Sequence, residues 1–156
     1  MKVMPEKIEF HFKSPNDSPG YLLGQLTMLW QRKQKKVLDP LDLTHTQFVL
    51  LAAIAWLSKN SDAVTQVDIA SQSNADRMMV SKVLRTLEEK GFITRREHHT
   101  DTRAKIIKLT TAGETVLQMA IKKVEDTDLE FFSALETDLP IFNTNMVRLI
   151  DENKNE

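Results

Sequence analysis

Apolar positions return every three or four residues along most of this chain, the period of helices with one face turned inward. After Pro19, suited to a helix's first turn, Leu22, Leu23, Leu26, Leu29 and Trp30 follow that period. Arg32, Lys33, Lys35 and Lys36 then gather where the helix dipole favours cations, and the pattern predicts an end before Pro40. Thr44 is placed to cap a second helix, whose ten-residue apolar run from Phe48 to Leu57 reads as buried on most sides. Thr65-Gln66-Val67-Asp68 has the form of a capping box, with Asp in place of the preferred Glu, and opens a short third helix to about Gln72. Ser73-Asn74-Ala75 makes a turn. A fourth helix is predicted from Asp76 to about Lys90, closed by Gly91.

The period then changes. Phe92 to Glu97 and Lys105 to Leu109, rich in Ile, Thr and Phe, read as two strands joined by the polar stretch His98 to Arg103. Thr110 or Thr111 begins a fifth helix with Val116, Leu117, Ala120, Ile121 and Val124 on one face, and a last helix carries Leu139 onward. Ile8, Phe10 and Phe12 alternate, predicting a short extended piece within an arm of residues 1–18. The fold class expected is mainly α, with six helices and a small β-hairpin. Its centre is a short helix, a tight turn, a second helix and a hairpin, which together form a winged helix-turn-helix.

Charge adds a reason for that arrangement. Residues 75–108 hold 9 Lys+Arg against 5 Asp+Glu, whereas residues 109–156 hold 4 against 10, and residues 1–74 are near neutral at 8 against 7. A basic middle can hold a polyanion although the whole chain carries a net charge of −1. Within the fourth helix, Val80, Val83, Leu84 and Leu87 fall on one face and are expected in the core. The opposite face presents Arg77, Met78, Ser81, Lys82 and Arg85, three cations and no anion, where a recognition helix meets base edges in a major groove. Arginine donates two bonds to guanine, serine bonds a base edge or a phosphate, and methionine offers apolar contact to a thymine methyl.

Residues 65–113 resemble the MarR family of winged-helix regulators, and the helix order matches from about residue 19 to 152. The resemblance rests on Leu87-Glu88-Glu89-Lys90-Gly91-Phe92-Ile93, then Asp101-Thr102-Arg103, then Leu109-Thr110-Thr111-Ala112-Gly113. It implies that Arg103, at the wing tip, enters the minor groove, where a guanidinium suits the negative potential. It implies that Asp101 holds that tip in shape. Arg95, Arg96 and Lys105 become candidate phosphate contacts, which position the protein without reading sequence. Where small hydroxyl residues are common in the family, this chain has Met78-Met79, so base preference does not carry over from relatives. Met79 is expected to pack inward and Met78 to be exposed.

Other chemistry finds no support. The chain has no cysteine, which removes disulfides, thiolate metal sites and thiol-based sensing and suits a reducing cytosol. Gly20-x-x-x-Gly24 lacks the ending of a phosphate loop, there is no His-Glu-x-x-His, and His98-His99 would point to opposite sides of a strand. No catalytic residue, metal or cofactor is expected. No apolar run approaches the ~20 residues of a spanning helix, and the first twenty residues fit no signal peptide.

The first and last helices carry more apolar surface than a small winged domain needs. Leu22, Leu26 and Leu29 with Phe142, Met146, Leu149 and Ile150 are expected to form a seam between two copies. A two-fold dimer would read a pseudo-palindromic duplex operator with half-sites ~10 base pairs apart. The chain thus divides into the arm and one domain over residues 19–152, with the winged helix at about 44–110 and dimerisation helices at about 19–38 and 111–152. The resemblance further implies a small aromatic or anionic ligand between these parts, with Trp30, Arg32, His45, Phe48 and Trp56 as lining residues. The function expected is a dimeric, cytoplasmic DNA-binding regulator, a repressor relieved by a small molecule. The alternative is a winged-helix module kept for protein interaction.

Overall fold

In a computed structural model, residues 7–98, 100 and 104–155 are described. Six α-helices and one hairpin follow in the expected order: α1 (Pro19–Leu38), α2 (His45–Leu57), α3 (Gln66–Ser73), α4 (Arg77–Glu89), β1 (Ile93–Glu97), β2 (Lys105–Leu109), α5 (Thr111–Phe132) and α6 (Leu139–Asn153).

Local chemistry sets the helix starts. Thr44 and Gln47 exchange side chain and backbone bonds at 3.1 Å each, and Thr65 and Asp68 do the same at 3.4 and 2.9 Å, so both capping boxes form. Asp68 serves although it is shorter than the usual Glu. Asp76 accepts from Met79 N at 3.0 Å and Thr110 from Gly113 N at 3.0 Å, opening α4 and α5. Asn74 and Gly91 end α3 and α4 at φ 50° and 80°, the left-handed geometry those short or absent side chains tolerate.

These caps aim three helices at one core. Leu50, Leu51 and Ile54 of α2, Ile69 of α3, and Val80, Leu84 and Leu87 of α4 are buried together with Ile93 and Ile107 of the hairpin. Each large aliphatic side chain so buried contributes about 1.5–3 kcal/mol. Val83, expected in that core, sits half-buried at its edge. The strands pair antiparallel with Ile93 opposite Leu109 and Glu97 opposite Lys105. An isolated bridge ties the hairpin to the segment before α3, since Ile107 N donates to Val64 O at 2.8 Å and Thr65 bridges Ile106. The segment before α3 thereby fixes the base of the wing.

Two expectations need correction. Ile8, Phe10 and Phe12 form no strand: residues 7–14 are irregular, and a 3₁₀ turn at Pro15–Asp17 leads into α1. Residues 7–14 are exposed and pair with neither β1 nor β2, the strands among the described residues. Met79 does not pack inward fully but stays 36% exposed, because Val80 takes the core position beside it.

No single described helix is long and apolar enough to cross a membrane. α1 and α6 are amphipathic, yet α6 buries no residue at all within this chain. Leu22, Leu26, Leu29, Met146, Leu149 and Ile150 are exposed, and Phe142 lies half-buried against Phe132 with ring centroids 5.9 Å apart.

Candidate nucleic-acid interface

The outward face of α4 is built as its spacing requires. Val80, Leu84 and Leu87 hold one side in the core, so Arg77, Met78, Lys82 and Arg85 are exposed on the other, Met78 by 82%. Ser81 is half-buried at the margin of that face. Gln66 Nε2 donates to the Arg77 carbonyl at 3.4 Å, tying the start of α3 to the start of α4. None of the three cations has an ion-pair partner among the described residues. The face therefore offers donors and a free thioether to whatever approaches it.

The wing adds less uniform material. Arg96 and Lys105 are exposed on the hairpin. Arg95 is placed differently: its Nη2 donates to Glu88 Oε1 at 2.9 Å, with the guanidinium only 23% exposed. That bond holds the Glu88 carboxyl below the usual carboxylate range, and Arg95 acts as a brace between β1 and α4 rather than as a free cation. Asp101 and Arg103 lie outside the described residues, as does His99.

Two polar joints connect this unit to the long helices. Lys90, just past α4, donates to the Asp42 carbonyl and to Gln47 Oε1 at 3.0 Å, with Asp42 Oδ2 at 3.4 Å. Asp42 adopts a left-handed φ of 56° in the corner between α1 and α2. At the second joint, Asp128 Oδ1 of α5 accepts from Trp30 Nε1 at 2.8 Å and from Gln34 Nε2 at 2.7 Å, both on α1. His45 of α2 meets the Trp30 ring edge-on, with centroids 4.9 Å apart. Burial pushes the His45 imidazole below the ordinary histidine range, and the nearby Asp128 carboxylate pulls the other way. Gln34 is fully buried, and its Oε1 has no hydrogen-bond partner. Sequence reasoning found Trp30 and His45 but missed Gln34, Asp128 and Lys90.

The expected ligand-lining set is not brought together. Trp30 and His45 meet, whereas Phe48 packs half-buried against the winged core. Trp56 is exposed, with Lys59 Nζ 4.4 Å from its ring centroid. Arg32 points away from the joint, into a groove of about 530 Å³ that Leu29, Lys33, Lys36 and Phe131 also line. The groove that Arg32 lines includes none of Trp30, His45, Phe48 and Trp56.

Comparison with known proteins gives these geometries a family. The MarR family's sequence model matches residues 43–105, from α2 through the wing. The uncharacterized HTH-type transcriptional regulator YdcH of Bacillus subtilis strain 168 is 46% identical over 129 residues, covering 81% of this chain and 88% of the relative. Among solved structures, S. aureus MepR in complex with DNA superposes with a TM-score of 0.78 at 26% identity, covering 86% of this chain and 98% of MepR. CouR from Rhodococcus jostii RHA1, bound to p-coumaroyl-CoA, shares the fold with a TM-score of 0.74 at 20% identity, over 89% of this chain and 94% of CouR. This chain belongs to the MarR family and is a winged helix-turn-helix transcriptional regulator, not an enzyme.

Proposed function

We propose that this regulator acts in the cytoplasm as a homodimer on a pseudo-palindromic duplex operator, represses transcription there, and is released by a small molecule. The observation that carries the reading is the outward face of α4, where Arg77, Met78, Lys82 and Arg85 stand exposed and uncompensated on a helix locked by its core side. Arg77 and Arg85 are assigned to base edges, Lys82 and Ser81 to phosphate, and Met78 to a thymine methyl. Arg96 and Lys105 would contact the flanking backbone, and Arg103 would enter the minor groove with Asp101 shaping the tip. The solved complex of the similar MepR with DNA, at 26% identity, supports DNA as the partner.

The dimer would be closed by Leu22, Leu26 and Leu29 of α1 with Phe142, Met146, Leu149 and Ile150 of α6. Support comes from the exposure of the seam and from an α6 with no fully buried residue in its own chain. An effector would act where Trp30, Gln34, His45 and Asp128 join α1, α2 and α5. The unpartnered Gln34 carbonyl and the Asp128 carboxylate are acceptors, so the group that enters donates hydrogen bonds.

The test is equilibrium binding of the chain to duplexes selected from random sequence and to scrambled controls, at two salt concentrations. Selection of a two-fold motif, with affinity falling steeply as salt rises, is the expected result. Failure to enrich any motif would overturn the reading.

A further inference from the structure

Two charge clusters take no part in the DNA-binding reading. Arg32, Lys33, Lys35 and Lys36 are four cations in five residues at the end of α1. Residues 124–147 hold six carboxylates and neither Lys nor Arg. Within the chain the two clusters do not neutralise each other. Lys35 pairs with Asp39 at 2.9 Å, while Arg32, Lys33 and Lys36 have no ion-pair partner among the described residues, nor have Glu125, Asp126 and Glu130. On α5 these three acids face away from the buried Ala120 and Val124 side. Between them stands Leu129, 68% exposed, an apolar knob ringed by carboxylates.

The groove on α1 has the opposite character. It is lined by the apolar Leu29 and Phe131 and by Arg32, Lys33, Lys35, Lys36 and Asp39, four cations against one carboxylate that Lys35 already pairs, with about 530 Å³ of open volume. An acidic knob and a basic socket on one molecule cannot meet within it, because the knob and Phe131 lie on different sides of α5. Both patches lie toward the C-terminal end of α5, and Leu29 already belongs to the α1 seam. A two-fold axis exchanges the patches, so two copies can satisfy both at once.

We infer that the groove of Leu29, Arg32, Lys33, Lys36 and Phe131 receives Leu129 and its flanking carboxylates from a second copy of this chain, forming two symmetric electrostatic latches in the dimer. The inference rests on the dimer of the proposed function and adds the register in which the copies meet. It gives the acidic end of the chain a task that DNA binding would not give it. It also makes association depend on salt, because rim charges attract through solvent.

The test uses the full chain and charge-reversed pairs, with dimer dissociation followed by sedimentation equilibrium. Arg32→Glu/Lys33→Glu and Glu125→Lys/Glu130→Lys should each weaken their own homodimer at least tenfold, since like charges then face each other. Mixing the two variants should restore a heterodimer near wild-type strength, which damage to the fold could not do. Leu129→Ala should weaken the dimer with no change in monomer unfolding, the residue being exposed. A wild-type dimer whose reversals have no effect, or whose mixture stays weak, overturns the latch and leaves the dimer reading standing. A wild-type chain that stays monomeric overturns both.

Discussion

Gly113 is the position where one methyl group should cost most. It lies buried in the first turn of α5, and a Cβ there would sit 2.0 Å from the Phe92 carbonyl oxygen, 2.9 Å from its carbon and 3.2 Å from Phe92 Cα. Ordinary carbon contacts need about 3.5–4.0 Å, so something must move by more than an ångström. The carbonyl cannot easily yield. It accepts from Thr110 N at 3.0 Å, and Thr110 Oγ1 also donates to the Gly91 carbonyl at 2.6 Å. Gly91 itself is held at φ 80°. Overpacking of this kind costs about 1–3 kcal/mol, and breaking a bond at the cap adds about 0.5–1.5 kcal/mol. Gly113→Ala should therefore lose about 2–4 kcal/mol in urea unfolding and lower Tm by roughly 5–15 °C. Gly24→Ala is the control: it lies exposed inside α1 with nothing within 4 Å, and should gain about 0.5–1 kcal/mol. If Gly113→Ala unfolds within about 0.5 kcal/mol of wild type while the control behaves, the close approach of α5 to the wing is refuted.

Other expectations follow from the same structure. Arg85→Ala, if the guanidinium reads guanine, should cost about 1–3 kcal/mol on the selected operator and relax preference at one base pair, whereas Lys82→Ala should weaken matched and scrambled duplexes alike and lower the salt slope by about one. Competition binding on both duplexes separates them, and unchanged affinities would remove α4 as the reader. Leu149→Asp should yield a monomer in light scattering that folds normally, since Leu149 is exposed in its own chain; a stable dimer would move the seam elsewhere. His45, held below its ordinary 6.5 by burial, favours the neutral ring when folded, so the unfolded chain binds the proton first. Its contribution is full above that value and declines as pH falls from it toward the lowered folded pKa. His45→Gln should lose this part of the acid sensitivity in urea titrations across that window, and an unaltered slope would exclude the assignment.

The winged core was legible in the sequence because its signals are local. Each helix start is decided within four residues by a cap, as at Thr44, Thr65, Asp76 and Thr110, and each buried face by an uninterrupted period. The outward face of α4 was legible for the same reason, since a face that is not core is known once the core is known. The alternation at Ile8, Phe10 and Phe12 misled because period two states only how side chains would alternate and supplies no neighbouring strand. Arg95 misled in a related way: its charge marks it for phosphate, but whether Glu88 takes it depends on where β1 folds back upon α4.

What sequence could not show are the joints, and the reason is separation along the chain. Trp30 meets Asp128 across 98 residues, Gln34 meets it across 94, and Lys90 reaches Gln47 across 43 and Asp42 across 48. The period puts Asp128, four residues after Val124, on the inward side of α5 and Glu125 and Asp126 off it, but it says nothing of the Trp30 and Gln34 donors that Asp128 meets there. Nor does Lys90 differ in sequence from the cations of α4, although it points back to the corner of α1. These contacts share one property that gives them a mechanical meaning. His45 and Gln47 both lie in the first turn of α2, so one helix terminus touches α1 through Trp30, which in turn bonds Asp128 of α5, and the end of α4 through Lys90. A displacement of α1 against α5 therefore bears first on the first turn of α2 and, through the Gln47–Lys90 bond, on the end of α4, whereas the rest of α2 is held in the packed core by Leu50, Leu51 and Ile54. Shifting that core would cost the burial that holds the wing together. Moving α2's first turn costs only a few polar contacts, each worth about 0.5–1.5 kcal/mol, or up to about 3 where a charge takes part. The difference sets where the fold can yield.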